Sequence, residues 1–291
     1  MNGFTIKDLE NLSGIKAHTI RIWEKRYLFL NPKRSDTNIR YYDSDELKTL
    51  LNYALLNKNG YKISTIVEMP TELIAEKIIG LSSFEARQER LVNALLNGMI
   101  DMDAQVFEEI VDEHIVKHGM ENTVRNLVFP FLQRIGILWM TDHVRVAQEH
   151  LVSNIIRQKL IKGIEEINIT AAKNATVVLF LPDGEYHELG ILYVHYLLKL
   201  RGINIIYLGA DVPLEELEYV CKIKQPRYLY THLTSLPSRF NFEKYLSLAN
   251  ERIGNTPLMI SGNVTHGYSK KIPKGINFLK TLEEVINRLA A

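Results

Sequence analysis

From residue 169 onward the chain alternates between short apolar runs and helical patterns, and this alternation constrains the fold more than any other feature. Strands are predicted at 175–181, 203–207, 227–232, 256–260 and near 276–279, and helices at 188–201, 214–223, 238–250 and 281–290. Strands that alternate with helices form a parallel sheet covered on both faces. Residues 169–291 are therefore predicted to be a doubly wound α/β (Rossmann-like) domain.

A short loop after the first of these strands carries Glu185, His187 and Gly190. Ligands bind at the carboxyl ends of the strands in open α/β sheets, and a carboxylate two residues before a histidine can fix the tautomer of a metal-ligating imidazole. The alternative is a plain helix N-terminus with an exposed histidine, where the two nearby glutamates favour the helix dipole.

The first 66 residues are basic and read as two short helices, a turn-rich loop and a strand. They hold 11 Lys and Arg against 7 Asp and Glu, whereas the rest of the chain holds 24 against 27. Helices at 5–12 and 16–25 flank a Ser-Gly turn, the loop 31–38 and strand 39–42 form a wing, and a further helix runs over 43–57. The pattern predicts a winged helix-turn-helix domain at 1–70.

The segments T-I-R-I-W-E-K-R-Y (19–27), P-x-R (32–34) and I-R-Y-Y-D (39–43) resemble the winged-helix head of MerR-type transcription regulators. The resemblance implies that double-stranded DNA is contacted by Lys16, His18, Arg21, Lys25 and Arg26 from the second helix and by Arg34, Arg40 and Tyr41 from the wing. Ile20 and Trp23 are assigned to the core. The alternative, a solvated charged face, leaves the order of helix, turn, helix and wing unexplained.

The middle of the chain is helical. Residues 71–83 are expected to form a linker because Pro70, Gly80 and two serines interrupt short apolar pieces. Helices are predicted at 84–98, 102–118, 121–138 and 143–165, which together would form a four-helix bundle over 84–168.

Trp139 is followed after nine residues by Glu149 and His150, and this spacing resembles the helical cap of MerR-type cobalamin photoreceptors. The resemblance implies that the three side chains cover the upper face of the corrin. In that family a histidine follows the Trp, whereas this chain has Met140, a poor ligand for oxidised cobalt. His143 lies nearby but three residues away. Light sensing is therefore less well supported than cobalamin binding.

The E-x-H-x-x-G pattern of residues 185–190 resembles the cobalamin-binding signature, and the G-A-D-V-P turn at 209–213 resembles another turn of such domains. The resemblance implies that His187 is the lower axial cobalt ligand, that Glu185 accepts a hydrogen bond from it, and that the nucleotide tail passes Gly190. Thr231 and Leu233 correspond to the S-x-L pattern at the end of the third strand, with Thr in place of Ser so that the hydroxyl is preserved, and Ser261 and Gly262 correspond to the G-G pattern after the fourth.

Two residues of this tail region affect the space for the tail. Ser261 stands in place of the first glycine and is expected to narrow the channel for the tail. His232 adds a ring to the cleft and has no assigned role.

Composition and length place further limits. The chain has 291 residues, 46% hydrophobic and 24% charged, which suits two or three soluble domains. One cysteine, Cys221, cannot form an intrachain disulfide, and no targeting segment or long apolar run is present, so a cytoplasmic protein without membrane contact is expected. We find no pattern of hydrolytic residues, phosphate-binding glycines or zinc ligands, and therefore expect no enzyme.

The leading hypothesis is a transcription regulator that binds cobalamin, with adenosylcobalamin held between the helical bundle and the α/β domain. It would act as a repressor at a promoter, as a dimer or tetramer, with light as a candidate signal. One alternative is a corrinoid carrier that delivers methyl groups to an enzyme, although the basic head argues against it. Another is a MerR-type regulator that binds no cofactor and is controlled by a partner protein.

Overall fold

A computed structural model describes residues 3–34, 38–140, 144–168, 173–237 and 239–290. The chain divides into two compact units, Met1–Ile155 and Ile156–Ala291. The first is helical apart from a two-stranded wing, and the second contains a five-stranded sheet with helices.

The chain begins with two short helices, α1 (Ile6–Ser13) and α2 (Ala17–Tyr27). The Thr5 hydroxyl and the Asp8 carboxylate cap α1 reciprocally, and α1 ends at Gly14, whose φ of 71° suits a glycine. One face of each helix is apolar and buried, as at Leu9 and Ile20. The predicted helix-turn-helix order is confirmed.

The wing consists of strands β1 (Lys33–Arg34) and β2 (Arg40–Tyr41), which pair antiparallel. The backbones of Phe4 and Tyr42 exchange two hydrogen bonds and thereby tie the wing to the start of the chain. Helix α3 (Ser44–Lys58) follows directly and is capped by Asp43.

The segment expected to be a linker is largely helical. After α4 (Ile63–Ile66), helix α5 runs over Thr71–Ile79. Its Ile74 and Ile78 are buried in a cluster with Leu55 and Leu56 of α3. Pro70 and Gly80, taken as signs of a connection, instead stand at the two ends of this helix. Ile74 and Ile78, which lie one turn apart on α5, cover the end of α3.

Four long helices follow, as predicted: α6 (Phe84–Ile100), α7 (Ala104–Thr123), α8 (Phe129–Met140) and α9 (Val146–Glu166). A π-helical segment, Val124–Val128, joins α7 to α8. The expected break at Gly119 is a local kink inside α7, with φ of 78°. Phe107 and Phe131 are fully buried and in ring contact, which packs α7 against α8.

The sheet of the second unit is entirely parallel, with strand order β4-β3-β5-β6-β7. Its strands are β3 (Lys173–Pro182), β4 (Ile203–Val212), β5 (Tyr228–His232), β6 (Leu258–Ser261) and β7 (Ile276–Phe278). Its helices are α10 (Leu189–Leu200), α11 (Leu214–Lys224), α12 (Phe242–Arg252), α13 (Asn263–His266) and α14 (Leu282–Ala290).

This strand order confirms the predicted doubly wound α/β fold and locates its ligand-binding edge. The chain moves from β3 outward to β4 and then crosses back to β5 on the other side of β3. Ligands bind where the strand order reverses in this way, at the carboxyl ends of the strands. The crevice between the loops after β3 and β5 is therefore the candidate site. Among the described helices, none combines the length and apolar character needed to cross a membrane.

Candidate functional site

The loop between β3 and α10 presents His187 and is held by hydrogen bonds at its base. The Glu185 amide donates to the Pro182 carbonyl at 3.0 Å, and the Gly184 amide donates to the Asp211 carboxylate at 2.9 Å. Gly184 has a φ of 76°, a conformation that suits glycine. The turn therefore projects the side chains that follow from the carboxyl edge of the sheet.

Glu185 is the centre of the site because its carboxylate joins the loops after β3 and β5. Its side chain is 0% exposed. One oxygen, Oε1, accepts from the His187 ring Nδ1 at 2.5 Å and from the His187 amide at 2.9 Å. The other, Oε2, accepts from the amides of Thr234 at 3.1 Å and Ser235 at 2.9 Å. A buried charge with this many donors is well compensated.

These contacts keep Glu185 ionised. Burial by itself raises the pKa of its carboxyl, but the hydrogen bonds from the His187 ring, the His187 amide and the Ser235 amide outweigh burial and bring the pKa below its ordinary value of 4.5. The carboxylate is therefore negative at neutral pH.

The pair is arranged to present one imidazole nitrogen to a ligand. The ring of His187 is 55% exposed although its partner is fully buried. A carboxylate at Nδ1 holds the proton on that nitrogen, fixes the ring orientation and makes Nε2 the more basic donor to a metal. In the described residues no group of three or more His, Cys, Asp and Glu side chains could hold a metal ion. The geometry suits a single protein ligand to a metal carried by a cofactor.

Glu188, the residue after His187, is held by a separate set of hydrogen bonds. The Glu188 carboxylate accepts from Arg157 Nε at 2.7 Å and from the Tyr207 hydroxyl at 2.5 Å. Burial, followed by the bond to Glu188, raises the pKa of Tyr207, which stays protonated. This contact places the start of α10 against β4 and the C-terminal half of α9. Sequence reasoning missed it because the partners lie far apart in the chain.

Gly190 lies directly beneath the ring of His232. A Cβ on Gly190 would come within 2.4 Å of His232 Cδ2 and 2.6 Å of its Nε2, so only glycine fits without a shift of the ring. His232 Nδ1 is 2.8 Å from Ser261 Oγ, which in turn is 2.7 Å from the Tyr230 hydroxyl. The structure therefore links Gly190 to Ser261 through the ring of His232, with Tyr230 bonded to Ser261.

Thr231 and Leu233 lie elsewhere. Side chains alternate along a strand, so these two point to the face of β5 opposite His232. Leu233 belongs to the core with Leu217 and Leu246, and the Thr231 hydroxyl is buried with no hydrogen-bond partner in the described part of the chain. A contact of either side chain with a nucleotide tail remains a prediction that this geometry does not favour.

The backbone conformation at position 262 and the close approach of Leu233 require a glycine there. Gly262 has a φ of 99°, and a Cβ there would lie 2.2 Å from the Leu233 carbonyl oxygen. The second glycine of the predicted G-G pair thus allows the ends of β5 and β6 to approach closely.

The predicted cap residues all lie in the first unit. Trp139 is in the last turn of α8 and is 47% exposed, unusual for so large an apolar ring. Glu149 and His150 lie in the first turns of α9, with 3.6 Å between the Glu149 carboxylate and His150 Nε2. His143 lies outside the described residues. That Trp139, Glu149 and His150 cover a corrin remains a prediction.

In the head, the predicted DNA-contacting residues are on the surface. Arg40 and Tyr41 are half-buried. The other predicted residues are exposed: Lys16, His18, Arg21, Lys25, Arg26 and Arg34. His18, Arg21 and Lys25 share one face of α2, opposite the buried Ile20 and Trp23.

Two wing arginines are held in place by neighbouring side chains. Arg40 Nε lies 3.3 Å from the Glu24 carboxylate, which also accepts from the Tyr42 hydroxyl at 2.8 Å. Arg34 donates to the Asn38 side chain at 2.7 Å. Arg34 and Arg40 are direct partners in the β1–β2 pair, so the wing carries two adjacent cations.

Comparison with known proteins identifies two regions. Residues 4–72 match the MerR HTH family regulatory protein model, and residues 91–162 match the B12 binding domain model. The second match covers helices α6 to α9, so it supports the helical region and not the sheet.

Two proteins of Myxococcus xanthus are similar along most of their length. The HTH-type transcriptional repressor CarA is 25% identical over 285 residues, which cover 97% of this chain and 94% of CarA. The HTH-type transcriptional repressor CarH is 25% identical over 266 residues, 89% of this chain and 88% of CarH. Both are named as repressors, in agreement with the prediction of a regulator and not an enzyme.

The monomethylamine corrinoid protein of Methanosarcina barkeri has a similar fold. It superimposes with a TM-score of 0.51 at 14% identity and covers 69% of this chain and 97% of its own. The chain thus joins a MerR helix-turn-helix domain to a B12-binding domain and is homologous over most of its length to the repressors CarA and CarH.

Proposed function

We propose that this protein is a transcription regulator that binds adenosylcobalamin and changes its operator binding in response. The observation that carries the proposal is the pair formed by buried Glu185 and exposed His187 at the switch point of the sheet, in a chain that also has a MerR head. The relatives named as repressors support the direction of regulation.

The residues of the second unit fit a corrinoid. His187 would bind cobalt through Nε2, and Glu185 would hold the ring by its Nδ1. A neutral imidazole is a common metal ligand, and a carboxylate behind it strengthens it as a donor. When bound, adenosylcobalamin supplies a cobalt–carbon bond that light or chemistry can break. The protein residues orient the ring and keep its proton at Nδ1.

Operator binding requires more than one head. A single recognition module buries about 600–1,000 Å² on DNA, too little for tight and specific binding, so regulators of this kind act as dimers on two-fold operators. We therefore propose that cofactor binding promotes a dimer or tetramer that places two heads on one operator. Light is a candidate signal, although Met140 stands after Trp139 in place of the histidine that follows the Trp in the photoreceptors.

A corrinoid carrier would share the fold of the second unit and the helices before it, as the Methanosarcina protein does. The exposed cationic face of α2 and the wing favour the regulator, because a carrier has no use for a DNA-binding head.

The test is to load the protein with cobinamide, which has no nucleotide base of its own to bind cobalt, reduce it to the cobalt(II) form and record its electron paramagnetic resonance spectrum. Ligation by His187 predicts hyperfine splitting from one imidazole nitrogen, lost in His187→Ala and kept in the control His266→Ala, which changes an exposed histidine of the same unit. An unsplit wild-type spectrum, or splitting that survives His187→Ala, would contradict this assignment.

A further inference from the structure

His232, which adds a ring to the cleft, and Ser261, which stands in place of the family's first glycine, are hydrogen-bonded to each other. The distance from His232 Nδ1 to Ser261 Oγ is 2.8 Å. In sequence they lie 29 residues apart, on the ends of two neighbouring strands. They therefore form one structural feature.

A buried tyrosine holds Ser261 in place. The Tyr230 hydroxyl lies 2.7 Å from Ser261 Oγ and is fully buried, and Ser261 is only 5% exposed. A ring whose nitrogen bonds to a buried hydroxyl, itself bonded to a buried phenol, has one preferred position. We call Tyr230, Ser261 and His232 the tail-side triad.

The triad places an aromatic ring on the one residue of α10 that has no side chain. The His232 ring lies so close to Gly190 that three of its atoms are within 3.0 Å of the position a Cβ would occupy. Gly190 is also the residue past which the nucleotide tail is expected to run. The ring and a tail in that position would compete for the same space.

The chemistry of the ring favours exclusion over recognition. Burial lowers the pKa of His232, and the nearby Glu185 carboxylate opposes this only in part. The ring is therefore neutral at physiological pH. A neutral imidazole makes no salt bridge with a tail phosphate, so the ring lacks the charge attraction that could offset the steric conflict at Gly190.

We infer that His232 is a specificity-determining residue that makes this site favour corrinoids lacking the nucleotide loop, that is, without the phosphate, ribose and base. The inference rests on the proposed function, since it concerns the same cofactor site. An intact tail beside Gly190 requires the ring to leave Ser261 and abandon a buried hydrogen bond. A loss of that kind lowers affinity by roughly tenfold.

The test compares two probes with the full-length protein in darkness. Adenosylcobinamide and adenosylcobalamin share the corrin and the upper ligand and differ only in the nucleotide loop. Titration followed by absorbance gives both dissociation constants. Wild type should bind adenosylcobinamide about tenfold more tightly. His232→Ala should raise the affinity for adenosylcobalamin by a similar factor and leave adenosylcobinamide unchanged, and Ser261→Gly should act in the same direction.

The control is His266→Ala, which should change neither affinity. The wild-type ratio needs no substitution, so the test holds even if a variant fails to fold. A wild-type preference for adenosylcobalamin, with selective weakening of that ligand by His232→Ala, would overturn the inference because the ring would then be contacting the tail. Failure of both corrinoids to bind would instead overturn the proposed function and the inference with it.

Discussion

Replacing Glu185 by Gln tests the physical basis of the site, because its carboxylate joins the His187 ring to the loop after β5. It accepts from the His187 ring, from the His187 amide and from the amides of Thr234 and Ser235. Gln keeps one acceptor oxygen but turns an NH₂ group toward donors on the other side. At least one buried N–H then loses its partner.

The expected magnitude follows from these contacts. A hydrogen bond to a charged group contributes about 1.5–3 kcal/mol, and a buried donor left without a partner costs about 1–3 kcal/mol. We expect Glu185→Gln to lower the free energy of unfolding by roughly 2–4 kcal/mol. Removal of the group that orients a metal-ligating histidine commonly weakens metal binding by about 10–100-fold, and we expect cobalamin affinity to fall by that factor.

The same carboxylate makes stability depend on pH. Its folded-state pKa lies below the ordinary 4.5, so its contribution is present above that value and is lost as pH falls through the lower folded pKa. Glu185→Gln should therefore flatten the stability curve below about pH 4.5.

Urea unfolding across pH and absorbance titration with cobalamin measure both effects. The control is Glu215→Gln, which removes an exposed carboxylate paired with Arg252 at 2.7 Å. Such a surface pair is worth about 0–1 kcal/mol, and the control should not affect the cofactor. Equal effects of the two substitutions, or unchanged cofactor affinity in Glu185→Gln, would refute the role given to the buried carboxylate.

The remaining predictions concern both units. Arg21→Ala should weaken operator binding by about tenfold and lower the slope of log affinity against log salt by about one, as measured by fluorescence anisotropy; unchanged binding would remove Arg21 from the interface. Burial lowers the pKa of His195 to about 4, so the unfolded state binds more protons as pH falls from 6.5. Through this residue, wild type should lose about 2 kcal/mol of stability between pH 7 and pH 5, and His195→Leu should abolish that loss in urea unfolding. An unaltered pH dependence would contradict this. Gly190→Ala should destabilise the protein by about 1–3 kcal/mol and be rescued by His232→Ala, since the clash is with that ring. Gly262→Ala, which meets a backbone carbonyl, should not be rescued in the same thermal unfolding series, and rescue there would show that the strain lies elsewhere.

Local features of the site could be predicted from sequence because they are contained in one short loop. Glu185 and His187 are two residues apart, so their contact depends only on the turn after β3. The order of strands and helices followed in the same way from apolar periodicity. The helix-turn-helix head could be predicted for the same reason, because its capping residues and turn glycine are adjacent in sequence to the helices whose ends they form.

What could not be predicted depends on register and on distant pairing. The sequence placed the His232 ring in the cleft, but its contacts with Gly190 and Ser261 depend on the register of β5 against its neighbours, which a local pattern does not give. Contacts such as Arg157 with Glu188 join residues 31 positions apart, which no local pattern reveals. Helix α5 was missed because Pro70 and Gly80 mark the two ends of a short helix as readily as they mark a linker.

The most direct test of a regulator that responds to cobalamin is operator binding in darkness with and without adenosylcobalamin, measured for wild type and for His187→Ala. Bound cofactor should raise the operator affinity of wild type by at least about tenfold, which corresponds to about 1.4 kcal/mol of coupling between the two sites, and His187→Ala should lose most of that gain. Equal operator affinity with and without the cofactor, in a protein shown by its spectrum to have bound it, would contradict the proposal.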